Sequence, residues 1–401
     1  MKLIPYLALL ALPLAISSAY AADPTDGPTV TISGFGTAAL TRSNTDDAEF
    51  ARVGQLAGVK SSAKTGVDSN FGIQATAKMN DWLSLTGQGL VSKHITDEYG
   101  AELSWAFAKF KASDKLSIRV GRMGLPVYMI SDYLNVGYSN TYLRPPVEMY
   151  SQVNLQNVDG IDAIYQTSFG ESTLTSQVAF GKSETKGNGN AYTVKFTTIA
   201  GINLVLENGP FTARFGHITT KFNVDDSASL NAVVGGLRKY GFQSAADSLK
   251  IHDNKASFTS LGLGVDWKNW IVQSEYGVRK SESLSLPDTT SWYTMLGYRV
   301  GKFTPYYHHA SVKQDSPRTV AGLPTTGPLA ALTAGANTFA SLASIQTSNS
   351  IGLRWDFSKS ADLKLQLDRF SPESGPGTFI NAKPGFKGPV TVFAAAVDFV
   401  F

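Results

Sequence analysis

The chemistry open to this 401-residue chain is narrow, and its five histidines show why. Imidazole serves as a general base for a nucleophile or as a metal ligand, and either role needs a partner at a workable spacing. His94 and His252 fall in or near polar connecting segments. His308 and His309 are neighbours in an alternating segment, so their rings project to opposite faces and cannot share a metal. The sequence carries no phosphate-cradling Gly-Lys loop, no dinucleotide fingerprint and no Gly-x-Ser-x-Gly elbow. There is no cysteine, which removes thiol nucleophiles and disulfides together. No catalytic residue, cofactor or metal site is expected. What remains is charge set among apolar residues: Arg119, Arg122, Arg214 and Arg299 are the candidates for a basic wall that attracts anions. The formal net charge of +3 does not argue for nucleic acid.

Those arginines stand in segments with a period of two, the pattern of half-buried strands. At the end of the chain Phe393, Ala395, Val397, Phe399 and Phe401 share one parity, while Ala396, Asp398 and Val400 share the other. An apolar terminal strand left as a sheet edge invites aggregation, and pairing it with the first strand around Val30 removes the edge by closing a cylinder. Between the two ends hairpins recur, with turns at Asn80-Asp81, Ser113-Asp114, Asn208-Gly209-Pro210, Lys268-Asn269 and Gly301-Lys302. Tyr192, Val194, Phe196, Ile202, Leu204 and Leu206 all fall on even positions, so 192–206 reads as one strand with one apolar face. The expected total is sixteen strands.

Short turns alternate with long connections, the longest at 124–157, 223–255 and 314–347. This is the layout of an all-β, 16-stranded antiparallel transmembrane barrel, with short turns on the periplasmic rim and long loops outside. Trp105, Trp267, Trp270, Trp292, Tyr298 and Trp355 sit near strand ends with outward parity, as an interfacial girdle requires. Arg119, Arg214, Arg299, Arg354, Lys364, Glu275, Asp368 and Asp398 have inward parity. An Arg or Lys facing lipid at mid-depth costs about 2–4 kcal/mol, so their shared parity implies a water-filled interior. Residues 1–21 read as a secretory signal peptide: Lys2, an apolar run from Leu3 to Ile16, then Ala19-Tyr20-Ala21. Residues 22–401 are then one exported barrel domain in the outer membrane, surrounded by lipid and lipopolysaccharide.

The opening Val30-Thr31-Ile32-Ser33-Gly34-Phe35-Gly36, the segment Leu116-Ser117-Ile118-Arg119-Val120-Gly121-Arg122 before a long loop, the hairpin from Tyr298 to Tyr306 and the aromatic carboxy-terminus belong together. In these the mature chain resembles the Gram-negative trimeric porins over its whole length. The resemblance implies passive diffusion of small hydrophilic solutes, a homotrimer, and a role for Phe401 as the recognition signal for the barrel-assembly machinery. It also implies that 123–157 folds into the lumen and narrows it. In that family, acids in this loop face bases on the opposing wall, and many members carry Pro-Glu followed by Phe and Gly. Here the loop reads Pro145-Pro146-Val147-Glu148-Met149-Tyr150, with Asp132 and Glu148 as its acids and Arg144 as its base.

The loop is instead rich in tyrosine, at 128, 133, 138, 142 and 150. Two readings of Tyr128, Tyr133 and Tyr150 stay open. They line a constriction suited to amphipathic or sugar-like solutes, since Tyr joins an apolar face to a hydroxyl, or they pack the loop against the inner wall. A receptor or adhesin barrel is the further alternative, with side chains filling its lumen and no conductance.

Overall fold

The computed structural model describes residues 27–401 apart from Thr96 and Gln156. The expected signal peptide lies outside the described residues. The alternating segments form strands β1 (Thr29–Ser43), β2 (Asn70–Lys78), β3 (Leu83–Lys93), β4 (Tyr99–Lys111), β5 (Leu116–Gly124), β6 (Asn157–Phe169), β7 (Ser172–Lys186) and β8 (Thr193–Asn208). They continue with β9 (Phe211–Asp225), β10 (Asn254–Trp267), β11 (Trp270–Ser281), β12 (Thr289–Tyr298), β13 (Phe303–Gln314), β14 (Ile345–Trp355), β15 (Ala361–Ser374) and β16 (Val390–Val400). Each pairs antiparallel with its neighbours in chain order, and β16 returns to β1 to close a sixteen-stranded barrel.

The seam runs from Ser43 opposite Val392 to Phe35 opposite Val400. Beyond it, Gly34 and Phe401 exchange both backbone hydrogen bonds, at 2.9 and 3.0 Å. The ladder thus reaches the last residue, as a wall in lipid demands. The Phe401 ring lies across Gly34 on the neighbouring strand, in the space a Cβ there would occupy. Phe71 stacks on it with ring centroids 6.4 Å apart. Outward positions such as Ile32, Ile73, Ile161, Leu261 and Ile351 are exposed and apolar, forming the lipid-facing band. Trp267, Trp270, Trp292, Tyr298 and Trp355 are exposed near strand ends as expected.

Two bulges correct the parity reading. Between Phe196 and Thr198 the pairing of β8 with β9 skips Thr197. The segment is one strand, yet its apolar positions do not share a face: Ile202 and Leu206 point to lipid, while Val194 and Phe196 point inward. The pairing of β3 with β4 skips Ser104, because Gln88 lies opposite Trp105 and Gly89 opposite Leu103. Leu103 therefore faces lipid, and Trp105 lines the lumen instead of joining the girdle. One extra residue reverses every side chain beyond it.

Outside the barrel, α2 (Ala228–Lys239) and α3 (Gln243–Leu249) from one loop pack on α4 (Ala330–Ala340) from another. Leu230, Leu237, Leu249 and Ala336 make the buried seam of this helical cap.

Replacing Gly34 by Ile should push the Phe401 ring off its seat and destabilise the seam by about 1–3 kcal/mol, as overpacking does. The check is the temperature at which the folded barrel loses its compact mobility in detergent gels, which should fall for Gly34→Ile and not for Ile32→Val.

Candidate functional site

The loop 123–157 leaves the wall at a sharp corner. Gly121, Gly160 and Gly181 lie side by side on β5, β6 and β7. A Cβ on any of them would run into the backbone of an adjoining strand, and Gly121 has φ +133. Met123, beyond the corner, is fully buried inside. From there the loop crosses the lumen and is fastened along β9 to β16.

Its first limb is apolar, with Leu125, Val127, Tyr128 and Ile130 buried, and Tyr128 packs on Phe258 at 5.6 Å. Arg214 donates to the Pro126 carbonyl at 2.7 Å and to Ser260 Oγ at 2.8 Å. The buried Glu275 accepts from the Met129 N–H at 2.8 Å and from the hydroxyls of Tyr293 at 3.0 Å and of Tyr150. The loop then descends to the short-turn rim, where the Tyr138 hydroxyl donates to the Lys359 carbonyl at 2.8 Å. Arg354 donates to the carbonyls of Tyr138 and Asn140 at 2.7 and 2.8 Å, with its guanidinium 4.9 Å over the Tyr138 ring. Lys364 donates to the Gly137 carbonyl at 2.6 Å and pairs with Asp398 at 2.9 Å.

The returning limb carries the strongest clasp. Arg144 is buried and donates to both Asp68 oxygens, at 2.9 and 2.6 Å, and to Asp368. Its guanidinium also lies 4.9 Å over Phe50. Burial opposes the charge on Arg144, yet Asp68 and Asp368 outweigh it and raise its pKa. Burial likewise opposes the charge on Asp68, and Arg144 outweighs it, holding that carboxyl below its ordinary value. One turn further on, the short helix α1 (Val147–Tyr150) buries Glu148, which accepts from Gln346 at 2.7 Å. Burial pushes Glu148 up to about 7 from an ordinary 4.5.

With the loop bound to that wall, open space remains between it and β1 to β4. Asp132, Asn135 and Val136 border this corridor from the loop, and Gln88, Ser104 and Trp105 border it from the wall. Arg52, Lys93 and His94 stand toward the loop side.

The four arginines expected to form one basic wall are dispersed. Arg119 does point inward, but it is bound to the buried Asp162 at 3.0 and 3.1 Å. Arg122 has the parity of Val120, opposite to Arg119 and Met123, and so faces outward to Asp159 at 2.7 and 2.8 Å. Arg214 lies behind the loop as an anchor, and Arg299 pairs with Asp266 at 2.6 and 2.7 Å near the short-turn rim. Of the loop residues, Tyr128, Tyr142, Arg144 and Glu148 are buried, and the Tyr150 ring lies tilted against Tyr128 with centroids 4.5 Å apart. Tyr133, at 37%, and Asp132 are exposed, and Asp132 borders the corridor. Of the anchors, Glu275, Arg354, Lys364, Asp368 and Asp398 had inward parity as their signal, whereas Asp68 comes from the 44–69 loop and had none. Among the described residues no cluster of His, Asp and Glu is arranged to hold a metal.

The profile of the Gram-negative porin family matches residues 7–316. The chain belongs to the Gram-negative porins. It is an outer-membrane protein whose water-filled channel serves passive diffusion of small hydrophilic solutes. Among solved structures, the porin is similar to the anion-selective porin from Comamonas acidovorans, at 14% identity and TM-score 0.54, over 93% of this chain and 100% of that one. It is similar to Salmonella typhi OmpF in complex with daunomycin, at 13% identity and TM-score 0.55, over 94% of this chain and 98% of that one. A third is the trimer form of OmpT, an outer membrane protein of Vibrio cholerae, at 12% identity and TM-score 0.54, over 94% and 100%. At these identities the likeness is one of fold. No curated protein sequence matches.

Two outcomes follow for the porin's loop. Arg144→Met strands Asp68 and Asp368 as buried unpaired acids, and breaking such a pair costs about 3–5 kcal/mol. The loop should detach, raising single-channel conductance and its noise, and should become cleavable by added protease. Glu148 gives a pH dependence. A raised carboxyl contributes fully below its ordinary value, and that contribution is lost as pH climbs through about 7. Current noise from the loop should therefore grow between about pH 5 and about pH 8, and Glu148→Gln should flatten that rise.

Proposed function

We propose that solutes cross through the corridor between the loop 123–157 and strands β1 to β4, with that loop setting the narrowest section. The observation that carries this is the asymmetry of attachment: the loop's side-chain hydrogen bonds and ion pairs to the wall go to β9 to β16 and the turn at Lys359, with Asp68 reached from the 44–69 loop, while on β1 it packs near Thr37 and Ala39. In this reading Asp132 and Asn135 are the loop groups a solute meets, and Trp105 and Gln88 are their counterparts on the wall. Tyr128 and Tyr150 serve as packing. With the four arginines paired or turned away, ion preference is weak and is set by Asp132 against Arg52, Lys93 and His94.

In this reading the protein acts without catalysis, in keeping with the porin family to which the chain belongs. Residues 1–21 are removed as a signal peptide, and residues 22–401 form one domain. Three copies assemble, as in the trimer form of the Vibrio cholerae protein of like fold. Lipopolysaccharide and lipid surround the outer band, and Phe401 is the signal read by the assembly machinery.

Placing a large side chain in the corridor tests the route. Ser104→Trp should lower single-channel conductance at least two-fold, with three equal closing steps per insertion from the trimer. Unchanged conductance would mean that ions pass elsewhere. Asp132→Lys should shift the reversal potential in a salt gradient toward anion preference, and no shift would remove Asp132 from the path.

A further inference from the structure

Behind the loop, on the side away from the corridor, a chamber of about 730 Å³ lies beneath the helical cap. Sites for drug-sized organic molecules span roughly 300–1,000 Å³. Its wall is unlike the polar interior that a water channel needs. Val194, Phe196, Phe222 and Phe258 face it from β8 to β10, and Phe339 and Leu342 close it from the loop 315–344. Val194 and Phe196 are inside only because Thr197 is bulged out of the ladder. The bulge places apolar side chains where regular alternation would have put polar ones.

One cation lines this chamber. Arg279 donates through Nε and one terminal nitrogen to the Pro287 carbonyl, at 3.1 and 2.9 Å, and through the other to the Gln152 carbonyl at 2.9 Å. Asp288, close by in the sequence of that loop, bonds Lys280 at 3.0 Å and the Ser281 N–H at 2.8 Å instead. Among the described residues Arg279 has no ion-pair partner, a state it shares with Arg214, which is bound to Ser260 and the Pro126 carbonyl, whereas Arg119, Arg144 and Arg354 are ion-paired. Its three bonds go to neutral carbonyls, and two of the five guanidinium N–H groups remain for a ligand. A carboxylate is the group that matches a guanidinium in both charge and geometry.

We infer that the chamber binds an organic monocarboxylate with an aromatic or compact hydrocarbon body, its carboxylate on Arg279 and its body against Phe196, Phe222 and Leu342. Binding there does not require passage through the corridor, so the site stands apart from the proposed route.

The test uses the full-length porin in phosphatidylcholine nanodiscs, with 1-naphthoate as probe, read by calorimetry. Saturable binding of one naphthoate per chain is expected, with 1-naphthalenemethanol, the uncharged counterpart, at least ten-fold weaker. Arg279→Gln should cost naphthoate at least ten-fold and leave the alcohol unchanged. Because Arg279 also ties two loops, Ala256→Trp is the second variant: it fills the chamber, keeps the cation, and should also cost at least ten-fold. Equal affinity for acid and alcohol, or naphthoate binding unaltered in either variant, overturns the inference. Planar-bilayer conductance of the same samples separates the two readings. A conducting protein that binds no naphthoate sinks the chamber alone, whereas a non-conducting protein that binds it sinks the channel route alone.

Discussion

The backbone of a wall in lipid has no water to turn to, and closure of the strand ladder is the constraint on which the rest of this molecule depends. The first and last strands meet residue for residue, and the bonds between Gly34 and Phe401 extend the seam to the end of the chain. Sixteen strands, however, enclose more space than their own side chains fill. The interior has to be occupied by water, by chain, or by both. The loop 123–157 is the chain's answer on one side, and the corridor is what that answer leaves on the other.

Holding a loop inside a wet barrel is an electrostatic problem as much as a packing one. The first limb uses apolar contact, but the descending and returning limbs rely on wall cations donating to loop carbonyls and on the Arg144 clasp. Buried ion pairs of this kind are poor sources of net stability and are severe when broken. They select one position of the loop over its neighbours. The same arithmetic explains the missing basic wall: Arg119 and Arg299 are matched by Asp162 and Asp266, so charge that parity directs inward is largely cancelled there.

Much of this was legible in the chain. Alternation located all the strands, the turn asymmetry identified the two rims, and the closing pair could be named from Val30 and Phe401. The inward loop followed from resemblance, and its anchors on β11 to β16 had inward parity. What could not be read has two physical causes. A bulge leaves no mark in composition, so the skipped Ser104 and Thr197 silently reversed Trp105, Val194 and Phe196. Partnerships across the lumen join residues far apart in sequence, as with Arg144 and Asp68, which are 76 positions apart, and periodicity along a strand carries no information about them. Arg122 is a different case, since its parity alone set it apart from Arg119.

The loop departs from β5, yet Glu275, Arg354, Lys364, Asp368 and Asp398 belong to strands made much later in the chain. During synthesis and insertion the segment 123–157 precedes all of these anchors, and of the groups that clasp Arg144 only Asp68 and Phe50 are made before it. Contacts of such long sequence separation form late, after the entropy of closing the intervening chain has been met. The full set of anchors is therefore complete only once the same terminal strands that seal the seam have arrived.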